Sequence, residues 1–153
     1  MLRYSNDSFF STITESHGFN KANPQSLFNV TRFDQLVEDN MKKATTAAAS
    51  DSKRFATQEA TFTQFQNLYC LAQCSPDLSG NDCNSCLVGA IADLPNCSSG
   101  KQGGRVLNPS CNIRYELYLF YQVTALASSP SPALLPLTLQ ITALPVQVGY
   151  LSF

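Results

Sequence analysis

The sequence contains no tryptophan and one histidine, and only 14 % of its 153 residues are charged. Its formal net charge at pH 7 is −1, with 10 lysines and arginines against 11 aspartates and glutamates. A domain that binds nucleic acid presents a strongly basic face, because it has to neutralise phosphates. We therefore expect no nucleic-acid partner, and the same balance argues against a polybasic membrane-surface protein.

The chain also lacks a long uninterrupted apolar run. Residues 1–6 contain no continuous apolar segment of the kind that forms the core of a signal peptide. Residues 132–153 form a tail without charged residues. It is interrupted by Pro132, Pro136 and Pro145, so it does not predict a clean membrane-spanning helix. We expect a β-rich or disordered tail. A removed lipid-anchor signal is the less favoured alternative, because the polar spacer is missing.

Cysteine is absent from most of the chain and concentrated in one part of it. All six cysteines lie within the 42 residues from Cys70 to Cys111. The pair Cys83 and Cys86 admits three interpretations, namely half of a zinc site, a redox motif or part of a disulfide framework. The only histidine, His17, is distant, and no thioredoxin-like βαβ pattern surrounds the pair. We therefore favour disulfides and expect neither a metal nor a cofactor.

A disulfide framework is typical of proteins from oxidising compartments. Three N-glycosylation sequons agree with such a compartment, and they begin at Asn6, Asn29 and Asn96. We expect Asn96 to be the least used of the three, because its sequon has a cysteine in the middle. Which cysteines pair is not decided by their number alone.

Hydrophobic periodicity predicts three helices. The first spans residues 32–48 with Thr31 as its N-cap, and the second spans residues 63–73. The third begins after Ser79 and is expected to end at Pro95. It is the clearest amphipathic pattern in the chain, with apolar residues at Cys83, Cys86, Leu87, Ala90, Ile91 and Leu94.

Extended segments are predicted around the helices. Residues 1–13 suggest a strand with a turn, residues 14–30 a loop and residues 54–61 a short extended piece. Residues 105–107 and 112–122 suggest two later strands. Helices followed by paired strands favour an α+β fold, with helices packed on one face of an antiparallel sheet.

The spacing Cys74-x8-Cys83-x2-Cys86 resembles the signature of the plant ginkbilobin-like, or salt-stress-response/antifungal, domain. Residues 68–79 look like its central helix and turn, and residues 103–116 look like its closing strands. The resemblance covers residues 28–122. It implies two helices on a five-stranded antiparallel sheet, with disulfides Cys74–Cys83 and Cys86–Cys111. Cys70 is then the partner left for Cys97, and two free thiols are the alternative.

The resemblance also implies a domain organisation. The best fit is the second of two tandem copies in the ectodomain of a cysteine-rich receptor-like kinase or a secreted relative. Residues 1–13 would then be the remnant of a preceding copy, residues 14–122 the cysteine-rich domain, and residues 123–153 a Ser/Pro-rich linker with an atypical apolar tail. The chain is expected to be a fragment of a protein of the apoplast or of the outer face of the plasma membrane.

The implied function is non-catalytic recognition of an unknown extracellular ligand or partner ectodomain, in stress or defence. The alternative is a secreted mannose-binding antifungal lectin, because two of the three sugar-binding positions of single-copy relatives match here, at Arg105 and Glu116. The third, an asparagine, cannot be placed. A guanidinium and a carboxylate supply complementary hydrogen bonds to vicinal hydroxyls. The competing interpretation is a simple cross-strand ion pair between Arg105 and Glu116. No catalytic constellation is apparent, and we expect no enzyme.

Overall fold

The computed structural model describes residues 10–13 and 18–122 of the chain. Seven elements follow one another: β1 (Phe19–Ala22), α1 (Val30–Ser50), β2 (Phe55–Thr63), β3 (Gln66–Cys74), α2 (Gly80–Ser98), β4 (Gly103–Leu107) and β5 (Cys111–Glu116). The predictions for residues 1–9, 14–17 and 123–153 lie outside the described residues. They include most of the tandem-copy remnant, the sequon at Asn6, His17 and the apolar tail. Of the strand with a turn predicted at residues 1–13, the described residues 10–13 contain a turn and no strand.

The five strands form one antiparallel sheet in the order β1-β4-β5-β3-β2. Both helices pack on one face of this sheet, which we call the inner face, and the opposite face is the outer face. The predicted α+β fold with two helices on a five-stranded antiparallel sheet is therefore confirmed. No helix in the described part of the chain is long and apolar enough to cross a membrane.

Helix α1 buries one stripe of side chains, at Phe33, Val37, Met41, Ala44 and Ala48. This spacing repeats every three to four residues, as the amphipathic pattern requires. The helix begins earlier than predicted, at Val30, so that Thr31 lies inside it and is not its cap. The N-cap position belongs to Asn29, whose carbonyl accepts a hydrogen bond from the Phe33 amide at 3.2 Å.

Helix α2 begins as the sequence predicts. The Ser79 hydroxyl oxygen accepts a hydrogen bond from the Asp82 amide at 3.1 Å, which satisfies one free donor of the first turn. The helix does not end at Pro95, however, and continues to Ser98. Pro95 is exposed, so the hydrogen bond it cannot donate is lost on the solvent side. The last turn is held in part by the Ser98 hydroxyl, which donates to the Leu94 carbonyl at 3.0 Å.

The predicted helix at residues 63–73 is wrong, because this segment forms the end of β2 and most of β3. Alternate residues of β3 point to the core, at Leu68, Cys70, Ala72 and Cys74. Phe65, which the helical interpretation placed on an apolar face, lies in the β2–β3 turn and is 89 % exposed. Pairing on both sides, with β2 and with β5, outweighs the local pattern.

The other strands depart from prediction mainly in length. β1 lies within residues 14–30, which were predicted to be a loop, and pairs with β4. β5 ends at Glu116, so the strand predicted to reach residue 122 is shorter than expected. The segment after Glu116 leaves the strand and lies across the outer face.

Two disulfides join the helical layer to the sheet, and they are the two that the resemblance implies. Cys74 on β3 is bonded to Cys83 on α2, and Cys86 on α2 is bonded to Cys111 at the start of β5. The second closes the longer loop, with a sequence separation of 25 residues. A loop of that length corresponds to a stabilisation of about 3.5 kcal/mol. The zinc and redox interpretations of Cys83 and Cys86 are excluded, because each sulfur is bonded to a different partner.

The predicted Cys70–Cys97 disulfide is wrong, since both residues are free thiols. Cys70 is fully buried on the inner face of β3, opposite Tyr115 of β5. The Tyr115 hydroxyl donates to the carbonyl of Ser98, the neighbour of Cys97, at 2.8 Å. The inner-face side chain that the structure places against the end of α2, next to Cys97, is therefore Tyr115. A disulfide would need their Cα atoms within about 7 Å.

The two thiols should differ in reactivity. Burial raises the pKa of the Cys70 thiol to about 12, so it carries almost no thiolate until the pH approaches that value. In the native protein at pH 8 we expect iodoacetamide to label the partly exposed Cys97, and to label Cys70 only after unfolding. Mass mapping without reduction measures this directly. A peptide pair joined through Cys70 and Cys97 would contradict the structure.

Candidate functional site

The candidate site lies on the outer face of the sheet and is built on β5. Successive residues of a strand point to opposite faces, so Ile113 and Tyr115 enter the core while Arg114 and Glu116 point outward. The two outward side chains form an ion pair. Arg114 Nε and Nη2 both donate to Glu116 Oε1, at 3.1 and 3.0 Å. Their side chains are 28 % and 10 % exposed, so the pair is largely shielded from water.

Further contacts hold the guanidinium of Arg114 in place. Its Nη2 also donates to the hydroxyl oxygen of Tyr118 at 2.8 Å. Its Cζ lies 4.2 Å from the centre of the Phe120 ring, which is a cation–π contact. Tyr118 and Phe120, in the segment after β5, therefore hold the guanidinium of Arg114 together with the carboxylate of Glu116. An arginine held in this way loses little conformational entropy when it binds a ligand.

Glu116 has one oxygen that is not satisfied. Its Oε2 is buried and has no hydrogen-bond partner among the described residues. This atom lies against Gly103 of β4, where a Cβ atom would be 1.8 Å away. A larger residue at position 103 would force the Glu116 carboxylate to move from this position. An unpaired buried acceptor is costly, and a donor that reached it would gain a charge-assisted hydrogen bond.

Arg105 lies beside this pair but does not join it. It is exposed on β4, directly opposite Arg114 and diagonal to Glu116. The cross-strand ion pair predicted between Arg105 and Glu116 is wrong, because the carboxylate is bound by Arg114. The two residues that the resemblance implies do share one face, as neighbours at diagonal register positions.

Sequence reasoning missed Arg114 and Lys21. The signal for Arg114 was present, because residues two apart in a strand share a face and Arg114 precedes Glu116 by two. Lys21 was hidden in a segment predicted to be a loop. The structure places it on β1, exposed and directly opposite Arg105.

Aromatic residues cover the part of the outer face nearest to β2. The Tyr121 ring meets the Tyr69 ring edge-on, with centroids 6.2 Å apart, and the Tyr121 hydroxyl donates to Glu59 Oε1 at 3.5 Å. Burial, aided by the negative charge of Glu59, raises the pKa of Tyr121 to about 12. Tyr121 therefore stays a neutral hydrogen-bond donor at physiological pH.

Two clefts lie away from the Arg114–Glu116 ion pair. One is at the other end of β5, beside the Cys74 and Cys111 bridges, and contains Asp77 and Asn108. The other lies between the two helices, with Asp34 and Glu38 at its edge. Neither includes Arg105 or Glu116, so the candidate site is a sheet surface rather than a closed pocket. Of the predicted glycosylation sites, Asn29 and Asn96 are both exposed.

Comparison with known proteins assigns this architecture to a class of disulfide-bonded plant domains. The family model described as salt stress response/antifungal matches residues 11–118. An antimicrobial ginkbilobin-2-like protein of Castanea crenata is 45 % identical over 120 residues, which are 78 % of this chain and 50 % of that protein. Cysteine-rich receptor-like protein kinase 25 of Arabidopsis thaliana is 40 % identical over 150 residues, which are 97 % of this chain and 22 % of the kinase.

A solved structure agrees with these matches. The crystal structure of the tandem DUF26 ectodomain of the Arabidopsis thaliana cysteine-rich receptor-like protein PDLP5 superposes with a TM-score of 0.55 at 27 % identity. The superposition covers 74 % of this chain and 50 % of that ectodomain. The chain therefore belongs to the salt stress response/antifungal family. It spans half or less of the length of these relatives.

The stability of the fold should depend on Arg114 and not on Arg105. Replacing Arg114 by alanine leaves Glu116 buried without its partner, so we expect the free energy of unfolding to fall by about 1–3 kcal/mol. Replacing the exposed Arg105 should change it by less than about 0.5 kcal/mol. Urea denaturation of the two variants measures both values. Equal losses would show that the ion pair does not have the structural role described above.

Proposed function

We propose that the chain is a non-catalytic extracellular recognition module of a plant cysteine-rich receptor-like or secreted protein, with a role in stress or defence. The observation that carries the proposal is the outer-face site, where a fixed arginine adjoins a buried carboxylate oxygen that has no donor within residues 10–13 and 18–122. The carboxylate is already engaged by Arg114, which suits ligand binding better than nucleophilic attack. The two disulfides support a parent protein of the apoplast or of the outer face of the plasma membrane.

A secreted mannose-binding lectin is the second candidate. It is favoured by the shared face of Arg105 and Glu116 and by the similarity to a protein named antimicrobial. Arg105 would donate to one sugar hydroxyl, and Glu116 Oε2 would accept from its neighbour. The asparagine that completes the site in single-copy relatives has no counterpart in this proposal. Recognition would then rest on fewer hydrogen bonds.

The test compares two charge reversals in the oxidised full chain. Arg105→Glu changes the outer face, and Arg32→Glu changes an exposed arginine of α1 on the other side of the sheet. Both are screened on an oligosaccharide array and against a panel of ectodomains from the same family. We expect at least one ligand to bind the wild type and Arg32→Glu equally, and to bind Arg105→Glu at least tenfold more weakly.

Two results would overturn the proposed use of the outer face. One is equal binding by both variants, and the other is a wild-type chain that binds nothing on either panel. Methyl α-mannoside, titrated separately, decides the second candidate. Saturable binding that Glu116→Gln abolishes supports the lectin, and no binding by the wild type contradicts it.

A further inference from the structure

Three cationic side chains form a row across the outer face. Lys21 on β1 is directly opposite Arg105 on β4, and Arg105 is directly opposite Arg114 on β5. Residues opposite each other in an antiparallel sheet have Cβ atoms about 5 Å apart. Like charges at that distance repel each other and destabilise the sheet. We call these three residues the cationic row.

The row is only partly neutralised by the protein itself. Glu116 is paired with Arg114, whereas neither Lys21 nor Arg105 has a carboxylate partner in residues 10–13 and 18–122. The other carboxylate of the outer face, Glu59, lies on β2 and meets the Tyr121 hydroxyl. Within the described part of the chain, two positive charges are therefore uncompensated beside one engaged carboxylate. An anion that reached the row would relieve their repulsion.

The second observation is the unsatisfied oxygen of Glu116. The residue is 8 % exposed, and its Oε2 has no donor among the described residues. A carboxylate accepts hydrogen bonds and gives none, so the group that satisfies it has to be a hydroxyl or an N–H. Oε2 is closed to water in this structure, and a ligand reaches it when a neighbouring side chain moves aside.

We propose that the cationic row and Glu116 bind an acidic saccharide, a sugar ring that carries a carboxylate. The ligand carboxylate pairs with Arg105 and Lys21, with Arg114 Nη1 as an additional donor, and a ring hydroxyl donates to Glu116 Oε2. This inference rests on the proposed recognition function and names its ligand class. A neutral sugar leaves the two cations unpaired, and a simple inorganic anion leaves the Glu116 oxygen unsatisfied.

The test is isothermal titration calorimetry of the oxidised full chain with three probes at one ionic strength. They are trigalacturonate, its fully methyl-esterified form and sodium sulfate. The ester has the same hydroxyl groups without the charges, and sulfate has charge without a sugar ring. We expect trigalacturonate to bind at least tenfold more tightly than either of the others.

Matched variants identify the residues responsible. Lys21→Ala and Lys43→Ala each remove one exposed lysine, the first from the row and the second from α1. We expect Lys21→Ala and Arg105→Ala to weaken trigalacturonate binding at least tenfold, and Lys43→Ala to leave it unchanged. Among the described residues, the side chains of Lys21 and Arg105 form no hydrogen bond or ion pair and both are exposed, so we expect these variants to fold as the wild type does.

Each contrary result leaves a different conclusion. Equal binding of the acid and its ester overturns the acidic preference, while the proposed recognition function stands. Equal binding of sulfate and trigalacturonate reduces the site to a general anion site and overturns the inference. No binding of trigalacturonate overturns it as well, and the array and ectodomain panel then decide the recognition function independently.

Discussion

The disulfide between Cys86 and Cys111 is the constraint on which the rest of the structure depends. It fastens the first residue of β5 to the middle of α2, and β5 is the strand at the centre of the sheet. A shift of one residue in a strand would exchange its two faces. With Cys111 fixed inward, Ile113 and Tyr115 also point inward, and Arg114 and Glu116 have to point outward.

The inner face reinforces this arrangement. The Tyr115 ring packs edge-on against Phe33 of α1, with centroids 5.9 Å apart, and its hydroxyl donates to the Ser98 carbonyl at the end of α2. One side chain of β5 thus contacts both helices. Neighbouring residues of β5 form both surfaces, so the packing of the core also fixes the backbone from which the outer-face side chains project. Arg114 and Glu116 are consequently held on a regular element rather than on a loop, which favours precise ligand positioning.

Part of this could be predicted from the sequence. The capping serine and the apolar stripe of α2 are local signals, and they marked its start correctly. The fold and the two disulfides followed from the cysteine spacing through the family it resembles. β3 was mistaken for a helix because the apolar residues around it also fit a helical spacing, and only its pairing with β2 and β5 decides between the two.

Most of the missed features depend on contacts between segments distant in sequence, and the Arg114–Glu116 pair is the exception. Cys70 was paired with Cys97 because it was the partner left after the resemblance had assigned the other four cysteines, whereas in the structure it lies on β3 opposite Tyr115 and both thiols are free. Arg105 and Glu116 were found by resemblance, but their relation was not. Arg114 precedes Glu116 by two residues on β5, so their shared face follows from strand alternation, whereas the position of Lys21 beside Arg105 depends on strand register. No local pattern in the sequence reports that register.

The most direct test of the account is to map the binding surface by nuclear magnetic resonance, using the Arg114 Nε–H signal and the backbone amides during titration with trigalacturonate. Binding at the cationic row predicts that the Arg114 signal and the amides of β1, β4 and β5 shift together, in saturable fashion, while those of α1 stay in place. Shifts confined to the helices, or to the cleft beside Asp77 and Asn108, would contradict it.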